Sequence, residues 1–130
     1  MKLDYALATI AEDIRPSENQ KVFACLAEYV FAHKKDIKHL TYSSIAQVIG
    51  TQRPEMLLQV AQYLSGERVK LLEMKFELII DDNIIPLDDE TVYHAEITGS
   101  LIHPDTGYPV KDYDRYIYPY FIPSREIENG

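Results

Sequence analysis

Apolar residues recur at helical spacing in the first half of the chain and at strand spacing after it. Leu3, Leu7, Ile10 and Ile14 fall four, three and four residues apart, which is one face of a short amphipathic helix, and Pro16 ends the run. The tetrad SENQ at 17–20 fits a capping box in which Ser17 accepts from an early amide while Gln20 reaches back. The helix it opens is expected to run to about Lys35. Val22, Leu26 and Val30 line one face of it, with Phe23, Ala27 and Phe31 beside them, and so wide a stripe packs on two sides. LTYSSIAQVIG (40–50) reads as a third helix, capped by Thr41 and closed by Gly50. RPEMLLQVAQYLSG (53–66) reads as a fourth, with Pro54 in its first turn, Met56, Val60 and Leu64 on one face, and Gly66 closing it.

The period then changes to two. Leu72, Met74, Phe76, Leu78 and Ile80 alternate with Glu73, Lys75, Glu77 and Ile79, a strand with one buried face and the charged residues outward. Asp81, Asp82 and Asn83 signal a turn, and IIPL returns as a second short strand. Asp88 suits the N-cap of an acidic helix stopped by Gly99. LIHPDTGYPV reads as a tight hairpin around residues 104–107. YIYPYFIPS is strand-like, confined to an edge by Pro119 and Pro123. The expectation is one α+β domain over 1–130, helical over 1–66 and β-rich over 67–130.

Helices followed by a hairpin is the order of a winged helix domain, and residues 20–87 resemble one. In SIAQVIGTQRPEM, Ile45, Ala46, Ile49 and Gly50 match the first motif helix and its turn: a small residue for close approach, isoleucines to fill the gap, and a glycine at the bend. Thr51 departs from the family, which places an apolar group there. Gln59 falls where a buried residue belongs, so Val60 must take its place, and a longer turn forced by Pro54 accounts for both. The resemblance implies a winged-helix-like core of three to four helices, then a hairpin wing, a short acidic helix and a C-terminal hairpin or edge strand. It also implies that Gln52, Arg53, Gln59 and Gln62 face outward, where arginine reads guanine and glutamine reads adenine. Lys34, Lys35 and Lys38, with His33 and His39 nearby, are placed to hold phosphates. Against this, the wing carries Asp81 and Asp82 at its tip and Glu73 and Glu77 on its outer face, and phosphate repels all four.

Charge sharpens the picture. The net charge is −8, yet residues 1–65 hold seven basic and seven acidic side chains, so the excess lies wholly in the second half. Five of ten tyrosines fall within residues 108–120. Of these, Tyr113, Tyr116, Tyr118 and Tyr120, together with Asp81 and Asp82, are the expected surface for a protein with a basic face. Cys25, the single cysteine, excludes an internal disulfide and is expected to be a buried, inert thiol. Glu90 and His94 stand four apart on one helix face, spacing that an ordinary surface pair also has. The triplet at 105–107 is a turn rather than a catalytic acid. No catalytic set, metal site, cofactor motif or membrane span is expected, and the absence of an apolar leader points to the cytoplasm.

Two functions follow as expectations. The first is a small DNA-binding regulator, resembling antitoxins that repress their own operon, with helix 51–65 as reader and the acidic half meeting a protein or a second copy. The second is a pure interaction module, such as an immunity protein, inhibitor or accessory subunit, that masks a basic surface and binds no DNA.

Overall fold

A computed structural model describes residues 1–127. The elements run α1 (Leu3–Asp13), α2 (Ser17–His33), α3 (Tyr42–Ile49), α4 (Pro54–Leu64), β1 (Leu72–Ile80), β2 (Asn83–Leu87), α5 (Asp89–Thr98) and β3 (Ile117–Pro123), with a 3-10 turn at Tyr113–Arg115. The fold is α+β, and its antiparallel sheet has the order β2-β1-β3, so β1 is central. The chain groups into two compact units, Met1–Glu73 with the chain from Phe121, and Met74–Tyr120. Each has its own hydrophobic cluster. None of the described helices is long and apolar enough to cross a membrane.

The first unit is built from the amphipathic runs. Ile10 of α1, Leu26 and Val30 of α2, Ile45 of α3, and Val60 and Leu64 of α4 meet in one cluster with Leu71, Leu72 and Phe121. Leu40 bridges Phe121, and the Ser124 amide donates to the Leu71 carbonyl at 2.8 Å, so the chain after α4 pairs with the returning C-terminal strand. The capping box at Ser17 does not form. Pro16 occupies the N-cap without a side-chain bond, and the Gln20 amide instead donates to the carbonyls of Ile14 (2.7 Å) and Ala11 (3.2 Å). Those carbonyls are orphaned at the end of α1, and the three-residue connection brings them within reach of the glutamine. Cys25 is exposed rather than buried, because it stands two positions past Phe23 and therefore on the opposite side of α2. Ser65, not Gly66, caps α4. A Cβ on Gly66 would lie 3.1 Å from the Gln62 carbonyl, tighter than an ordinary contact, so a larger residue there would have to push that carbonyl aside.

An ion-paired cluster ties α1 to α4. Arg68 donates twice to Asp13 at 2.9 Å, and the Tyr63 hydroxyl donates to the same carboxylate at 2.6 Å. The Arg68 guanidinium, then Tyr63, holds this carboxyl below its ordinary value of 3.8. A carboxyl depressed in the folded state gives stability that is complete above its unfolded pKa and lost as pH falls through the folded one. The urea midpoint is therefore expected to drop below about pH 4, and Asp13→Asn to remove that part of the drop. Identical midpoint-versus-pH curves for the variant and the native chain would show that the cluster contributes nothing.

The second unit is smaller. Leu78, Leu87, Ala95 and Leu101 are its buried apolar residues, with Phe76, Ile85, Val92 and Tyr113 packed around them. β1 and β2 form a hairpin in the register Phe76↔Leu87 to Ile80↔Asn83, and Ile79 donates to the Tyr116 carbonyl at 2.8 Å on the other side of β1. Asp81 and Asp82 are the two loop residues, both in the left-handed region (φ 51° and 66°), as a two-residue hairpin demands. Asp88 caps α5 through the Thr91 amide at 2.7 Å, and Gly99 ends it at φ 75°. The expected alternation of β1 fails at two positions. Met74 is 38% exposed and belongs to neither hydrophobic cluster. Glu77, read as outward, is 4% exposed. Leu78 next to it is buried as well, so both faces of β1 are covered at this point and period two alone does not pick out a solvent face. Among the described residues no buried side-chain polar atom lacks a hydrogen-bond partner.

Candidate functional site

Gly50 sets the geometry of the helical pair. Thr41 caps α3 by accepting from the Ser44 amide at 3.2 Å, and Ala46, buried, is the small residue on the inner side. Gly50 takes φ 74° and donates to the Ala46 carbonyl at 2.9 Å. No atom lies within 4 Å of where its Cβ would stand. Backbone handedness, not space, is what requires glycine here. Arg53 is the N-cap of α4 and Pro54 its first residue. Met56, Val60, Ala61 and Leu64 turn inward, so Val60 takes the buried place that Gln59 leaves.

The outer side of α4 carries Gln52, Arg53, Gln59 and Gln62, all exposed, with Leu58 beside them. Arg53 is held through Nε, 3.3 Å from Glu55 Oε1, and its side chain stays 66% exposed. Glu55 lies below its ordinary range because its own backbone amide and then Arg53 donate to it. The arginine is thus fixed at the start of the helix with a carboxylate at its side.

The three lysines sit before α3. Lys34 is half-buried, its ammonium 6.0 Å from the centre of the Phe31 ring. Lys35 and Lys38 are exposed, and no carboxylate among the described residues lies within ion-pair distance of either. Lys38, His33 and His39 line a depression of about 330 Å³ with Asp36, Tyr29 and Gln47. It contains no residue of α4, so lysine and α4 side chains are presented by separate elements. Asp36 also places one negative charge beside the cations.

In the acidic unit, Asp81 and Asp82 are exposed at the hairpin turn, as read. The tyrosines divide. Tyr116 and Tyr118 are exposed, Tyr120 is half-buried, and Tyr113 packs against the cluster with its hydroxyl 3.5 Å from the Ala95 carbonyl. His94 turns Nδ1 to the Ser100 carbonyl at 3.3 Å, tying down the end of α5. His103 accepts from the Asp105 and Thr106 amides, and Gly107 takes φ 74°, so residues 103–107 form a turn. Among the described residues no group of three or more His, Cys, Asp or Glu is placed to hold a metal. Sequence reading overlooked the outer face of α5, where Tyr93 and Ile97 are each 64% exposed. Their i, i+4 spacing in an acidic helix was the available signal.

Comparison with protein-family models, curated proteins and solved structures returns no match to this chain.

Proposed function

We propose that the chain is a non-enzymatic DNA-binding regulator on a winged-helix-like scaffold, with α4 as the reading helix and the acidic unit meeting a protein with a basic surface. The observation that carries this reading is the open polar face of α4: Arg53, Gln59 and Gln62 follow a left-handed glycine turn and face solvent, not the molecule's own sheet. The order of pairing supports it. α2, extended Leu40, α3 and α4 follow one another in the first unit, and the chain on either side of residues 74–120 pairs where Ser124 donates to Leu71. Lys35 and Lys38 add phosphate contacts that carry no sequence information.

A salt titration on mixed-sequence duplex DNA tests it. Each neutralised phosphate adds about −0.9 to the slope of log affinity against log salt, so Lys35 and Lys38 predict a slope of about −2. Changing Lys35 or Lys38 to alanine should reduce that slope by about 1 each, and Arg53→Ala should cost about 1–3 kcal/mol at its cognate base. No binding at low salt would remove the reading.

The second reading, a pure interaction module, draws on the composition of residues 74–120, which hold ten acidic against three basic side chains. In that case the duplex titration is flat and the chain binds a basic protein instead.

A further inference from the structure

We infer that the outer face of α5 is a docking site for a basic amphipathic helix of a second protein. This rests on the reading that the acidic unit engages a basic protein, and it moves the contact from the tyrosines of β3 to Tyr93 and Ile97. Both side chains stand on one stripe of α5, separated by one helical turn. Each is among the most exposed large apolar groups of the chain.

Tyr93 lines two shallow, largely apolar depressions. One, of about 450 Å³, is lined by Ile97, Ile102 and Thr98, with Glu90 and His94 at its margin. The other, of about 480 Å³, is lined by Met74, Phe76 and Val92, with Glu90 and Glu96 at its margin. Two hollows that share Tyr93 in their lining accept two large side chains of one helix, the way helices lay an apolar face into a groove. An amphipathic tyrosine at the centre suits such a contact, since it gives large area at small entropic cost.

The rim decides the occupant. Asp89 is already paired with Lys75 at 3.1 Å, but no cation among the described residues lies within ion-pair distance of Glu90 or Glu96. A second copy docking face to face would set these carboxylates against their own kind, which disfavours self-pairing. Lysine or arginine flanking the apolar anchors satisfies them instead.

The probe is a fluorescein-labelled peptide of about 18 residues, helical, with leucines at i, i+3, i+4 and i+7 and lysines elsewhere. Its control keeps the lysines and replaces the leucines by alanine. The full chain is expected to bind the leucine peptide and to lose roughly tenfold or more in affinity for the control. The double variant Tyr93→Ala/Ile97→Asp should lose a similar factor with an unchanged melting temperature, because both side chains are exposed. Glu90→Lys/Glu96→Lys should weaken binding and flatten its salt dependence. Equal binding of both peptides would reduce the contact to general charge attraction and overturn the site. Binding that survives in Tyr93→Ala/Ile97→Asp but is lost in Tyr116→Ala/Tyr118→Ala would overturn the α5 face while leaving a basic partner for the acidic unit. No binding of either peptide at low salt would overturn both.

Discussion

Phe121→Ala is expected to cost about 3–5 kcal/mol of folding stability, among the largest single-residue losses in the chain. The ring is fully buried and meets Tyr42 edge to face, centroids 5.6 Å apart at 77°. Partial burial of the Tyr42 side chain also pushes its hydroxyl pKa up. The backbone of Phe121 exchanges hydrogen bonds with Leu40 at 2.7 and 2.9 Å, and these fix the ring over the helices. Truncation leaves those bonds in place, so the expected loss is transfer free energy plus the cavity left behind. Phe121→Leu, which fills most of the space, should cost less than about 1.5 kcal/mol. Urea unfolding followed by circular dichroism separates the two. A loss below about 1 kcal/mol for the alanine variant would place Phe121 outside the cooperative core.

The same residue shows where sequence reading stops. Helices and caps were legible because their determinants are local: Thr41, Pro54, Asp88 and Gly99 each act within one turn of their own position. The polar face of α4 was legible too, since Met56, Val60 and Leu64 fix which side turns inward. The pairing of Leu40 with Phe121 spans more than half the chain, and no local pattern announces it. The tail was correctly confined to an edge, but its partner strand is β1, so the hairpin at 72–87 is flanked on both sides of its first strand. Three local readings failed, two of them because a neighbouring element decided the residue. Gln20 and Glu77 were assigned from their own element, whereas a neighbouring helix end and cover on both faces of β1 decided them; Cys25 was misplaced within its own helix, where it stands on the side away from Phe23.

Leu101→Ala is expected to cost about 2–5 kcal/mol, and its effect should be confined. The second unit has only four buried apolar residues, so one truncation removes a large share of its burial. Leu101 lies just past α5, fully buried, and its carbonyl accepts from the Val110 amide at 2.8 Å, which closes the 101–110 hairpin beneath the helix. Losing the side chain should release α5 and the β1–β2 hairpin together. The cluster around Leu26, Val30, Val60 and Phe121 has none of these residues in it. Hydrogen exchange is therefore expected to accelerate at the amides of α5 and of residues 83–87, with protection retained in α2 and α4. The functional readings then separate. Duplex DNA binding by α4 should survive in this variant, whereas capture of a basic helix by the Tyr93–Ile97 face should fail with the unit that presents it. Loss of protection in all elements at once would show that the chain unfolds as one cooperative body, and a partner bound at the acidic unit would then stabilise the reading helix through folding itself.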